Sequence, residues 1–341
     1  MNRDMNKIGI LLTALFVFLT FGTSAHAAQP IKLKFGHEHL AFGIANSASV
    51  KFAQTVKKET GGAVEITVHP AGSIGKERYM MEQVQQGAID FALVGAQMME
   101  IFVPSTKVVV LPGLFKGLDH LDKVLEQDSP FFKKYEQLVA PKNMLVLAFG
   151  GHQIFNFVMS KKSIYTLDDL KGMKIRVPEA PVMIEGVRSL GAVPVTVPWG
   201  EVYTALQLGT VDGGAISPPN TYFMKFYEVA QKMSLYPLFP MSHILLASPD
   251  KWKKLSPKNQ QIIRAAAKQW GKDFSNGCDG QMGFVWLAKY GILELIDKGM
   301  TINAVKESKL FDEKVLTVTD KFRKEDPTID EFAKIVEQTK Y

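Results

Sequence analysis

The stretch with the most chemistry to offer is Lys171-Gly172-Met173-Lys174-Ile175-Arg176-Val177-Pro178. Lys174 and Arg176 alternate with Met173, Ile175 and Val177, the period of a two-faced strand. Pro178 ends its ladder and leaves Arg176 at the strand's end. A guanidinium there presents a planar fork that takes a carboxylate through two parallel hydrogen bonds. The spacing alone describes an edge strand with a solvated face equally well.

Other reactive side chains offer less. In an extended segment His37 and His39 of His37-Glu38-His39 point to one side and have the geometry to share a metal, but no third ligand follows at tight spacing. The segment follows the first strand's C-terminal end, where α/β ligand sites form, so a cleft-lining role is expected for His37. Cys278 stands in Gly277-Cys278-Asp279-Gly280 without a nearby histidine and reads as a packed residue. The pairs Met80-Met81 and Met98-Met99 read as packing. No nucleophile elbow, zincin helix or phosphate-binding glycine loop is present. No catalytic residue, metal or cofactor is expected.

These residues must be positioned by a chain of 341 residues. Arg3 and Lys7 precede an uncharged, mostly apolar run from Ile8 to Phe21, and Ala25-His26-Ala27 follows. That is the pattern of a secretory signal cleaved after Ala27, with a run too short to span a bilayer. The remaining 314 residues exceed what one core usually serves, so two domains are expected. Their net charge, +5 once Arg3, Lys7 and Asp4 are removed, is spread along the chain as isolated lysine pairs, which argues against nucleic acid. A single cysteine excludes an internal disulfide, so the exported chain relies on its core.

Strand and helix patterns alternate from Ile31 onward, which predicts α/β architecture. Strands are expected at Ile31 to Phe35, Val64 to Val68, Phe91 to Val94, Val108 to Leu111, Phe155 to Ser160, Met173 to Val177 and Pro194 to Val197. A second unit starts near His152. Thr166 and Asp169 stand at capping-box spacing, and Ser256-Pro257 opens a long helix. Helical character then runs to Lys298, with Gly271, Gly277, Gly280 and Gly283 as bend points. The expectation is a periplasmic-binding-protein clamshell. Its first lobe comprises residues 28–151 plus about 240–276 and its second 152–239 plus about 277–341, joined by crossing strands and the long bent helix.

The order of motifs carries a resemblance. LKFGHEH (Leu33 to His39), KFAQTVKKETGGAVEITVHPAGSIG (Lys51 to Gly75), QQGAIDFAL (Gln85 to Leu93), LDDLKGMKIRVP (Leu167 to Pro178), GAVPVTVPWGEVYTALQLGTVDG (Gly191 to Gly213) and LSPKNQ (from Leu255) follow one another along the chain. In this the chain resembles the DctP-type solute-binding proteins of tripartite ATP-independent periplasmic (TRAP) transporters. The resemblance implies a periplasmic, non-enzymatic protein whose cleft traps a small organic acid and delivers it to the permease subunits in the membrane. It places the family's ligand-binding arginine on Arg176. It also exposes departures. Phe155 stands where many members carry a second arginine, and Ala215-Ile216 replaces a Glu-Asn pair. These replacements suggest a monocarboxylate with an apolar body.

By position, Gln97 is a candidate hydrogen-bond partner from the first lobe, and Trp199 an aromatic wall. Asn220 is a substitute for the asparagine missing at Ile216, and Phe239 lies where the chain returns to the first lobe. A monomer is expected. A sensory role remains open, as does an enzyme using His37 and Glu38.

Overall fold

The computed structural model describes residues 29–278, 281–283, 287 and 291–341. The expected signal segment, its cleavage after Ala27 and the bend point at Gly280 lie outside the described residues.

The chain begins with strand β1 (Ile31–His37), in which buried Leu33 and Phe35 alternate with exposed Lys32 and Lys34. Helix α1 (Ile44–Glu59) lays Phe52 and Val56 on that apolar face, beside Phe91. Strand β2 (Val64–His69), helix α2 (Glu77–Gln85) and strand β3 (Phe91–Gly95) follow, and both β2 and β3 run parallel to β1. Helix α3 (Pro130–Val139) is capped by Ser129, whose Oγ accepts the Phe132 N–H at 3.0 Å.

Strand β4 (Leu145–Met159) has 15 residues, and a strand of that length runs about 50 Å. The second set of parallel strands is β5 (Lys174–Val177), β6 (Val193–Thr196) and β7 (Gly213–Ile216), with helix α4 (Pro181–Ser189) after β5 and helix α5 (Pro218–Phe223) after β7. Strand β8 (Lys232–Ala247), of 16 residues, runs antiparallel to β4. Helix α6 (Pro257–Asn276), strand β9 (Thr301–Ala304) and helices α7 (Ser308–Glu325) and α8 (Pro327–Gln338) complete the described elements used below.

The sheet order is β2-β1-β3-β8-β4-β7-β5-β6, with β9 also paired to β8. The two long strands therefore serve both halves. Toward Ala247, β8 pairs with β3; toward Lys232, it pairs with β9. β4 pairs with β8 throughout and with β7 only from Asn156 on. Its register shifts between Val146 and Ala148, between Gly150 and Gln153 and between Phe155 and Phe157. Gly151 takes φ +60 in the second shift, a left-handed conformation suited to glycine. This is a two-domain clamshell in which two strands cross between α/β lobes.

Two predicted elements differ. Val108 to Val110 belongs to a 3-10 helix, Pro104–Val110, and not to a strand. The three valines are buried against the C-terminal helices, and burial on all sides fits a short apolar run in either conformation. The long helix ends at Asn276 and does not run on to Lys298. Gly277 follows at φ +104, where Gly277–Cys278 pairs with Gln281–Met282. A Cβ on Gly277 would stand 2.4 Å from the Gln281 carbonyl oxygen, so glycine is required there. Gly271 is no bend either: it is where α6 crosses β4 at backbone contact distance. The C-terminal segment touches both halves, since α7 packs on α4 and α8 on α3.

Candidate functional site

The ends of five strands converge. Each of these five contributes residues that follow it to the cavity lining: Glu38 and His39 after β1, Gln97 after β3, Pro178 after β5, Trp199 after β6 and Asn220 after β7. Carboxyl ends of strands are where α/β sheets form ligand sites. The cavity has an outer chamber of about 330 Å³ and a tight inner end of about 30 Å³, and Glu77, Arg176, Pro178 and Trp199 line both.

Arg176 is the residue around which the rest is arranged. On β5 Lys174 is exposed, while Arg176 is only 2% exposed. Its Nε donates to the Val197 carbonyl at 3.0 Å, and its guanidinium carbon lies 5.4 Å from the centre of the Trp199 ring. Among the described residues it has no ion-pair partner within 4.0 Å, and no further hydrogen bond holds its terminal amino groups. Burial lowers its pKa to about 10, against the opposing pull of Glu77 and Glu38. An arginine buried at such cost calls for an anion.

Glu77 opens α2 and accepts the Gly95 N–H at 2.8 Å. Burial first, and the neighbouring Glu38 second, push its pKa up to about 7, although the Gly95 hydrogen bond and Arg176 act the other way. Burial likewise raises Glu38. Gln153, fully buried on β4, uses its Oε1 to accept from Ser217 Oγ and from Asn220 Nδ2, the latter at 3.0 Å. Three buried polar atoms on residues that line the inner end have no hydrogen-bond partner among the described residues: Gln153 Nε2, Gln97 Oε1 and Trp199 Nε1. His39 and His243 close that end with rings 4.9 Å apart, and burial holds both well below the usual histidine range.

Of the residues singled out from sequence, Arg176, Trp199, Phe155, Gln97 and Asn220 meet at the inner end. Three do not. His37 is fully buried, and burial lowers its pKa to about 4; His39, two residues beyond the strand, is the one of the pair that lines the cavity. Ile216 packs in the core with Val158 and Phe226. Phe239 pairs with Phe155 across the ladder and fills the space beside Gly186, where a Cβ would stand 2.5 Å from its ring. His37 and Glu38, on which a catalytic reading would rest, are therefore not brought together in the cavity. Sequence reasoning missed Glu77, Gln153 and His243, and singled out Glu38 only as half of a catalytic pair. Glu77 lies just after the quoted Gly75, at the start of α2.

The profile of the bacterial extracellular solute-binding proteins of family 7 matches residues 35–325. A solute-binding protein of Chromohalobacter salexigens is 29% identical over 283 residues, 82% of this chain and 81% of its own length. A TRAP periplasmic solute-binding protein from the same species, solved with bound D-glucuronate, superimposes with a TM-score of 0.82 at 26% identity, covering 89% of this chain and 98% of that one. Another from a Polaromonas species, bound to D-erythronate, gives 0.81 at 26% identity, covering 91% and 99%.

Proposed function

Because the chain belongs to family 7 of the bacterial extracellular solute-binding proteins, the periplasmic binding components of TRAP transporters, we propose that it captures a hydroxylated monocarboxylate of the sugar-acid kind. In this reading Arg176 holds the carboxylate, the lobes close over the remainder, and the loaded protein hands its ligand to a TRAP permease without chemical change.

The observation that carries the reading is Arg176 itself: buried, fixed through Nε by Val197, and, among the described residues, without an ion-pair partner within 4.0 Å. Charge-assisted hydrogen bonds contribute about 1.5–3 kcal/mol each, so two of them supply much of a micromolar affinity. The hydroxylated body follows from the rest of the lining. The expectation of an apolar body rested on Phe155 and Ile216. Only Phe155 reaches the cavity, and Gln153, Gln97 and Glu77 stand around it with donors and acceptors to satisfy. A hydroxyl both donates and accepts, so it suits such a mixed lining. The acids bound by the Chromohalobacter and Polaromonas proteins are of this kind.

A thermal-shift screen against organic acids tests the proposal, since a ligand that binds only the native state raises the melting temperature. Sugar acids are expected to give the largest shifts. Larger shifts from unsubstituted monocarboxylates, or from C4-dicarboxylates, would overturn it.

A further inference from the structure

Gln153 lies between the second and third register shifts of β4 and is fully buried. The Ser217 Oγ that contacts it is also the N-cap of α5 and accepts the Asn220 N–H at 3.2 Å. That hydroxyl donates its proton to Gln153 Oε1. Asn220 Nδ2 donates to the same oxygen at 3.0 Å. The carbonyl end of the amide is therefore held from two sides, which sends Nε2 the other way. Gln153 is among the residues that line the inner end, and its buried Nε2 has no hydrogen-bond partner among the described residues. A buried N–H without an acceptor is costly and rare in native proteins.

The inner end is small, about 30 Å³, enough for a group the size of a water molecule or a hydroxyl. Among the residues that line it, Gln153 Nε2 and Trp199 Nε1 are unpartnered donors and Gln97 Oε1 an unpartnered acceptor. A carbonyl satisfies only the donors and an ammonium only the acceptor. A hydroxyl satisfies both.

We propose that Gln153, locked by Ser217 and Asn220, is a specificity-determining residue that receives one hydroxyl of the ligand in this inner end while Arg176 holds the carboxylate. The inference rests on the hydroxylated-acid reading and deepens it by assigning the hydroxyl subsite. It also gives a purpose to Asn220, which acts by orienting Gln153.

The test uses calorimetry with D-glucuronate and D-erythronate as probes, and cyclohexanecarboxylate and butyrate as their deoxygenated counterparts. Gln153→Met is expected to weaken both hydroxy acids at least tenfold and to change the deoxygenated acids less than twofold. Ser217→Ala, which leaves Gln153 in place but frees its amide to turn, is expected to show the same preference at a few-fold loss. Ligand-free melting curves of both variants verify folding. Wild-type affinity for the hydroxy acids in Gln153→Met, with binding lost in Arg176→Ala, overturns the Gln153 assignment alone. An equal loss for hydroxylated and deoxygenated acids overturns it too, because it marks a merely structural role. A wild-type protein that binds neither hydroxy acid overturns the underlying reading and this inference together.

Discussion

The Arg176 guanidinium lies over the Trp199 ring at 5.4 Å, and its Nε is tied to Val197, two residues before that ring. One short loop after β6 thus sets both the rotamer of the arginine and the aromatic surface beside it. A cation over an indole face gains roughly 0.5–2 kcal/mol, the larger value when desolvated. Trp199→Phe keeps a face of the ring and is expected to lose about threefold in D-glucuronate affinity. Trp199→Ala removes it and is expected to lose tenfold or more. Equal losses in calorimetry would contradict a role for the ring face.

Glu77 makes stability depend on pH in a defined direction. Its pKa in the folded chain, about 7, lies above the ordinary carboxylate value. Between those values the folded state binds more protons than the unfolded one, so stability falls as pH rises through 7. Glu77→Gln keeps an acceptor for the Gly95 N–H and removes the titration. Its melting temperature should match the wild type near pH 5 and exceed it near pH 8. The difference between the two proteins cancels the opposite contribution of the buried histidines, whose lowered pKa values stabilise the fold as pH rises toward their ordinary range. A gap that narrows or reverses toward pH 8 would contradict the assignment.

Two ion pairs bridge the cavity mouth. Lys76 pairs with Glu201, and Arg78 Nη1 lies 2.5 Å from Glu179 Oε1. Both bases flank the start of α2 and both acids stand on the opposite wall. All four side chains are about half exposed, so each pair is worth at most about 1 kcal/mol and is screened by salt. The double variant Glu179→Gln, Glu201→Gln is expected to release D-glucuronate two- to fivefold faster in low salt and at the wild-type rate in 0.5 M salt, on the order of a 4 Å Debye length. Stopped-flow dissociation at the two ionic strengths decides this; an acceleration that persists in high salt would contradict it.

Gly271 is a packing residue. A Cβ there would stand 2.3 Å from the Phe149 carbonyl oxygen, and one on Gly150 would stand 2.8 Å from the Gly271 Cα. In an open helix glycine to alanine gains about 1 kcal/mol. Here backbone blocks the methyl, and overpacking costs about 1–3 kcal/mol or more. Gly271→Ala is expected to lower stability by about 2 kcal/mol in urea denaturation. A more stable variant would show that α6 can move off β4.

The framework was readable from sequence wherever local pattern and tertiary role agree. Arg176 stood out because a strand period, a terminating proline and a guanidinium coincide there. The Thr166 cap was legible for the same reason: Asp169 accepts the Thr166 N–H at 3.0 Å. What stayed hidden depends on elements far apart in sequence. Gln153 gains its role from Ser217 and Asn220, more than sixty residues on. Glu77 is an unexceptional helix-start acid until the fold brings it to the cavity that Arg176 also lines. His37 and His39 both looked capable of facing a cleft, and only the end of β1 at His37 separates them. The valine run at Val108 carries strand propensity that its burial against the C-terminal helices overrides.

The central claim is that Arg176 anchors a ligand carboxylate. Calorimetric titration of the wild type and Arg176→Ala with D-glucuronate tests it most directly. Two charge-assisted bonds lost together correspond to about 3–6 kcal/mol, so binding should weaken at least 100-fold while the ligand-free variant still melts cooperatively. Unchanged affinity in a folded Arg176→Ala protein would contradict the account.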